Sequence, residues 1–192
     1  DKDSTFTCKL ILDGEDSGTN STVQNNTEST IVPNVTISNG YHEWYLSCED
    51  SDGVFNSSVK WFVLGPAIDR CVNIKESGSY YFSQNVTDEG YKSHCINIQV
   101  PNVYIDGKDY TLIGTSENPA FQAYFPGGVL NLTIVNVNIK YAQMGIKIQS
   151  TTTTYFRKVH IENITITHTK QYTRSIYFFR VEDFTIKNVE VY

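Results

Sequence analysis

From Cys71 onward the chain repeats one short pattern, an apolar-polar-apolar triplet followed by a second, β-branched one. Val72-Asn73-Ile74, Ile96-Asn97-Ile98, Phe121-Gln122-Ala123, Ile146-Lys147-Ile148 and Ile176-Tyr177-Phe178 open successive copies, 24, 25, 25 and 30 residues apart. The second row runs Val103-Tyr104-Ile105, Leu132-Thr133-Ile134, Val159-His160-Ile161 and Phe184-Thr185-Ile186. A period in the twenties carried by alternating apolar residues, with no helical phrase between copies, predicts a coiled β-solenoid. Strict alternation sends Ile96, Phe121, Ile146 and Ile176 inward as one column and Ile98, Ala123, Ile148 and Phe178 as another, with rungs about 4.8 Å apart. At the end of the second row Gly107, Asn136, Asn163 and Asn188 share a position. A tight turn with positive φ favours these residue types, and an Asn stack can hydrogen-bond from rung to rung.

The first third is patterned differently. Phe6, Cys8, Leu10 and Leu12 alternate on one strand, and Trp44, Leu46 and Cys48 on another. Val35 and Ile37 predict a middle strand, Val59, Trp61 and Val63 a last one, and the run Glu49-Asp50-Ser51-Asp52-Gly53 the hairpin turn before it. Two inward Cys 40 residues apart beside a Trp predict an inter-sheet disulfide in a β-sandwich. Gly65-Pro66 punctuates the chain as a short stiff linker, dividing it into a sandwich over 1–65 and a solenoid of about four to five coils over 66–192.

Composition narrows the function classes. Of 192 residues 40% are hydrophobic, enough for packed cores, and the formal net charge is −6. Arg70, Arg157, Arg174 and Arg180 do not cluster in sequence, which removes nucleic acid from the expected partners. The longest apolar runs, of the Trp61-Phe62-Val63-Leu64 kind, fall far short of the roughly 20 residues of a membrane-spanning helix. Cys8, Cys48, Cys71 and Cys95 lack the Cys-x-x-Cys spacing of a zinc site and read as two disulfides. Cys71 and Cys95 stand one coil apart and would lie side by side on adjacent strands, the alternative being two separate buried thiols. Asn-x-Ser/Thr acceptors occur at Asn20, Asn25, Asn34, Asn56, Asn85, Asn131 and Asn163. These suit a glycosylated, extracellular protein. Asn163, as a member of the turn stack, is expected to be buried and unmodified, with Asn20, Asn25 and Asn85 the favoured acceptors. No basic and apolar leader opens the chain, so an export signal is expected to be already removed or to lie upstream. The abrupt first and last strands fit a piece of a longer chain, or ends completed by neighbouring copies.

Two resemblances add to this reading. The phrase Gly40-Tyr41-His42-Glu43-Trp44-Tyr45-Leu46-Ser47-Cys48-Glu49-Asp50, followed by a short strand, resembles immunoglobulin-like domains of microbial, particularly archaeal, surface proteins over about residues 4–65, although Leu46 replaces the usual corner Tyr. Ile105-Asp106-Gly107-Lys108-Asp109-Tyr110-Thr111-Leu112-Ile113-Gly114 after Cys95-Ile96-Asn97-Ile98, with the opening run at residues 76–86, is similar to right-handed parallel β-helix proteins of the sugar-hydrolysing and NosD-like superfamily over about residues 70–192. That superfamily holds lyases, hydrolases, adhesins and inert stalks, so the resemblance implies a fold more than an activity.

Candidate chemistry is sparse. Asp106 and Asp109 are the carboxylates of a repeat phrase, but later copies hold Val135 and Asn138, Glu162 and Thr165, Lys187 and Glu190, which gives no assured pair for glycoside hydrolysis. Neither adjacent Asp pairs with a Gly-His-Gly nor a lyase-like Asp cluster with its Arg is present, and His94, His160 and His168 are scattered. Asp50 and Asp52 have the spacing of an incipient calcium loop without its distal Glu, and equally that of a solvated hairpin turn. On the outward face, Asn97, Gln122, Lys147 and Tyr177 form one line and Gln99, Tyr124, Gln149 and Phe179 the next. Amides beside aromatic rings suit a glycan or protein partner, unless a loop or neighbouring molecule covers that face. The threonine-rich runs at 151–154 and 165–173 fit O-glycosylated loops or plain polar strands.

The expected function is therefore that of a non-enzymatic, cofactor-free structural module of a secreted cell-surface protein or extracellular filament, self-associating or bound to other surface proteins. Strand addition between subunits would let it polymerise. An adhesin, or a polysaccharide lyase or hydrolase whose catalytic coils lie beyond Tyr192, is the alternative.

Overall fold

The computed structural model describes residues 5–90, 93–115, 117–126, 128–151, 153–167 and 174–192. The chain divides into two compact units, Asp1–Leu64 and Gly65–Tyr192, and among the described residues every regular element within them is a strand.

In the first unit β1 (Thr5–Leu12), β2 (Glu15–Gln24), β3 (Gly40–Asp50), β4 (Gly53–Asn56) and β5 (Lys60–Leu64) make a single antiparallel sheet in the order β2-β1-β3-β4, with β5 also on β3. Asp13 and Gly14 take φ of 54° and 88°, the left-handed pair that a two-residue hairpin needs to match strand twist. Leu12 pairs with Trp44, Leu10 with Leu46 and Cys8 with Cys48, so the two expected alternating columns lie side by side on one face. The Cys8–Cys48 disulfide, with a Cα separation of 4.0 Å, therefore joins neighbouring strands of one sheet and does not bridge two sheets. That corrects the expectation of an inter-sheet bridge.

The expected middle strand at Val35 and Ile37 is also absent, because residues 25–39 form an irregular segment. Its backbone bonds go elsewhere: Asn34 N donates to Ser17 O at 2.8 Å, and Thr30 O accepts from Asn20 Nδ2 at 3.2 Å. The segment passes so close to β2 that a Cβ on Gly18 would sit 2.6 Å from Val32 O. Ser29 and Ile31 line a small cleft with Cys8, Leu10, Val23, Trp44 and Leu46, so the segment serves as the second layer over the apolar face.

The second unit is a parallel solenoid. One sheet stacks β7 (Val72–Ile74), β10 (Ile96–Ile98), β13 (Pro119–Phe125), β15 (Met144–Ser150) and β17 (Arg174–Phe179). The other stacks β6 (Ala67–Ile68), β8 (Gly78–Phe82), β11 (Val103–Asp106), β14 (Gly128–Lys140), β16 (Phe156–Thr167) and β18 (Phe184–Val191), with β9 (Val86–Thr87) and β12 (Thr111–Ile113) continuing it along β14. Every neighbouring pair is parallel, and apart from a register shift between residues 129 and 132 of β14 the columns align: Ile98 on Ala123, Ala123 on Ile148, Ile148 on Phe178, and likewise Ile105, Ile134, Ile161 and Ile186. Ile96, Phe121, Ile134, Ile146 and Ile161 are wholly buried, and Phe82 stacks on Phe121 with centroids 6.2 Å apart. Cys71 and Cys95 are bonded, Cα to Cα 4.4 Å, tying the first rung to the second. Gly65 belongs to this unit and is no free linker, since a Cβ there would overlap Ser79 O, and Pro66 O accepts from Tyr81 N.

The corners carry left-handed residues in columns. Asn102, Asn131, Lys158 and Asp183, one per rung, have φ of 57°, 45°, 58° and 55°, and Asn136, Asn163 and Asn188 have 55°, 54° and 50°. Gly107 is not among the positive-φ residues; there Lys108 and Asp109, at 47° and 61°, turn the chain instead. Glycine stands at 107 for a different reason, because a Cβ would collide with Asn136 O and Val137 Cγ2 of the next rung. Gly107→Ala is expected to lower stability by about 1–3 kcal/mol, read as a reduced midpoint in urea with an unchanged slope, since it must push backbone apart.

Candidate functional site

The outward side chains of the β7-β10-β13-β15-β17 sheet form the surface that the sequence singles out. Register aligns Asn73, Asn97, Gln122, Lys147 and Tyr177 in one column and Tyr124, Gln149 and Phe179 in the next. Gln99, exposed just past β10, donates its backbone N–H to Ile74 O at 3.0 Å. Asn97 is buried, and its Nδ2 donates to Asn73 Oδ1 at 3.1 Å, so it is spent on rung-to-rung bonding. The rings are partly covered as well. Lys147 Nζ lies 5.8 Å from the Tyr124 centroid, Arg174 stands over Tyr177 at 4.8 Å and Arg180 over Phe179 at 5.1 Å. Cation-on-ring pairing of this kind is worth about 0.5–1 kcal/mol at an exposed site and competes with a stacked ligand.

The carboxylates are spoken for. Asp106 is fully buried and heads a ladder: its Oδ1 accepts from Lys108 N at 2.9 Å and from Asn136 Nδ2 at 3.0 Å, and the carboxamide bonds continue from Asn163 to Asn136 and from Asn188 to Asn163 at 3.0 Å each. Its Oδ2 is buried with no hydrogen-bond partner. Asp109, by contrast, is exposed. Glu162 accepts from Lys187 Nζ at 2.7 Å and His160 Nε2 at 2.9 Å, and the Lys187 bond, then the His160 bond, hold its carboxyl below the usual range. His94 Nε2 lies 3.3 Å from Asn73 Oδ1. His168, with most of the 165–173 run, falls outside the described residues. Among the described residues no three His, Cys, Asp or Glu gather where they could hold a metal ion. Asp50 Oδ1 accepts from the amides of Asp52 at 2.8 Å and Gly53 at 3.1 Å, closing its own turn.

The acceptor asparagines fall into two groups. Asn25, Asn34, Asn56 and Asn85 are exposed, Asn85 with Oδ1 fixed by Thr111 N at 2.8 Å. Asn20, Asn131 and Asn163 use Nδ2 within the fold, Asn131 bonding Asn102 Oδ1 at 3.0 Å in a second short ladder. Asn163 is nevertheless exposed, because the ladder runs along the outside of the corner; its expected burial does not hold.

One cluster escaped the sequence reading. His42, buried in the first unit, has Nδ1 2.6 Å from Asp13 Oδ2 and Nε2 2.8 Å from Ser38 O, with the Phe62 ring 5.2 Å away. Asp13 Oδ1 also accepts from Glu43 N at 2.9 Å. The Asp13 bond raises the imidazole pKa and the Ser38 carbonyl adds to it, against the opposing effect of burial, while the His42 bond lowers that of Asp13. The available signal was Asp13-Gly14, which fixes the hairpin tip that carries the carboxylate.

No helix among the described residues is long and apolar enough to cross a membrane. No protein-family model, no curated protein and no solved structure matches the chain.

Proposed function

We propose that this chain is a non-enzymatic structural module of a secreted, glycosylated cell-surface protein or extracellular filament. The observation that carries the reading is where its outward polar groups are spent. The Asn ladders, the Lys187–Glu162 and Arg157–Glu182 pairs and the Lys147–Tyr124 contact join one rung to the next, the Arg174–Tyr177 contact stays within β17, and none converges on a cleft that would orient a substrate. Such bonding stiffens a column. Two disulfides and exposed acceptors, among them Asn25, Asn34, Asn56 and Asn85, support an oxidising, exported setting. On this reading the solenoid is right-handed, as parallel crossovers are in most sheets. The first unit is an immunoglobulin-like module of archaeal type with residues 25–39 as its second layer. Phe184 and Ile186, 51% and 42% exposed on β18, would seat another rung. Glycopeptide mapping of the native protein without reduction is expected to find both disulfides intact and glycans on exposed acceptors; a reduced, unmodified chain would overturn the reading.

A second reading, an adhesin, is favoured by the outward face on which Tyr124 and Tyr177, in neighbouring columns, stand beside the amides of Gln122 and Gln149. A glycan array would show it as binding that weakens at least tenfold in Tyr124→Ala and Tyr177→Ala. Silence across the array would remove it.

A further inference from the structure

We propose that protonated His42 is a pH-sensitive clasp that holds the 25–39 segment over the apolar face of the first sheet. The argument starts from donor counting. An imidazole nitrogen bonds a carboxylate or a peptide carbonyl only as an N–H donor, because neither partner has a proton to give. Both ring nitrogens of His42 face such acceptors, Asp13 Oδ2 and Ser38 O, at distances of good hydrogen bonds. Only the imidazolium satisfies both. A neutral ring would turn a lone pair on one of them, inside a site where an unmet polar group is costly.

Three parts of the unit meet at this ring. Asp13 belongs to the β1–β2 turn and is itself tied to β3 through Glu43 N; Ser38 lies next to the last residue of the irregular segment; Phe62 comes from β5. Asp13 is the charged group acting on the ring, since Glu43, the next residue on β3, is exposed on the opposite face by alternation. The segment is anchored elsewhere at Asn34 and Thr30, so the clasp governs its Ser38 end. Releasing that end loosens the segment whose Ile31 borders one cleft with Leu10, Trp44 and Leu46.

The direction follows from the raised His42 pKa. The clasp is complete below about pH 6.5, the ordinary histidine value, and is lost as pH rises through the higher folded value. At the acid end it is lost as pH falls through the depressed value of Asp13.

Two measurements on the whole chain test this. Imidazole NMR at pH 6 is expected to show two slowly exchanging N–H resonances for His42 and a titration midpoint above 6.5. In a Trp61→Phe background, Trp44 fluorescence is expected to shift toward the red with that same midpoint. Exchange of the amides at 38–40, corrected for base catalysis, should rise by up to about tenfold per pH unit between 6.5 and that midpoint and level off above it. Asp13→Asn, which keeps the oxygen facing Glu43 N, should move the midpoint down to about 6.5, and His42→Gln should abolish the pH dependence. A single imidazole N–H, a midpoint at or below 6.5, or a Trp44 signal indifferent to the His42 titration would each overturn the clasp.

Discussion

Replacing Ile134 by aspartate is expected to abolish the cooperative melting transition of the second unit at 37 °C. Ile134 is wholly buried, with Ile105 before it and Ile161 after it in one column, and the strands on both sides are paired over their length. A carboxylate there would have aliphatic neighbours above and below and no donor within the stack. Leaving a charge buried and unpaired costs several kcal/mol, and losing the Ile side chain costs a further 2–5 kcal/mol or so. The sum is comparable to the whole stability of a domain of this size, about 5–15 kcal/mol. Ile134→Val, which leaves the column filled, is expected to cost only about 0.5–1.5 kcal/mol. Far-UV circular dichroism melts of the three proteins measure the difference. An aspartate variant that melted like the parent would mean that this column is not the interior of the fold.

Why that column was legible, and the first unit less so, comes down to which interactions leave a mark in sequence. A solenoid stacks like on like, so each rung repeats the constraint on its neighbour and the pattern of Ile98, Ala123, Ile148 and Phe178 reads directly as a contact list. The left-handed corner at Asn102, Asn131, Lys158 and Asp183 was not legible, because the column mixes residue types and Lys158 holds positive φ without one that announces it. Gly107 was read as a turn glycine, whereas it answers to the close approach of Asn136 O, which only coordinates reveal. In the first unit β2 is nearly all polar, since residues 25–39 and not a sheet cover its inner side; alternation could not find it, although Asp13-Gly14 marked its start. The same segment drew Val35 and Ile37 into a false strand: with its backbone bonded to Ser17 and Asn20, it needs no ladder of its own. Candidate chemistry was legible as residue types and not as partners. The outward column reads off the sequence, but the cations over Tyr177 and Phe179 and the burial of Asp106 do not.

Cutting the Cys71–Cys95 bridge is expected to destabilise the second unit by about 3 kcal/mol, the chain-entropy value for a loop of some two dozen residues. The bridge closes one full turn of the solenoid, and it does so at the rung with the least support. β7 is three residues long, is an outer strand of its sheet and pairs with β10 alone, so Val72 and Ile74 are held by a short ladder and by the bond from Val72 N to Cys95 O at 2.9 Å. In the oxidised chain that rung opens only together with its neighbour. With both cysteines changed to serine, the Val72 and Ile74 amides are expected to exchange by local opening, well before global unfolding, while the Ile134 and Ile161 amides keep the protection of the remaining stack. The matching change at Cys8 and Cys48 should leave that exchange pattern untouched, because those residues lie in the other unit. Hydrogen exchange resolved by residue separates the two. Uniform loss of protection along the whole solenoid in Cys71→Ser/Cys95→Ser would show a single all-or-none unit in place of rungs that fray from an end.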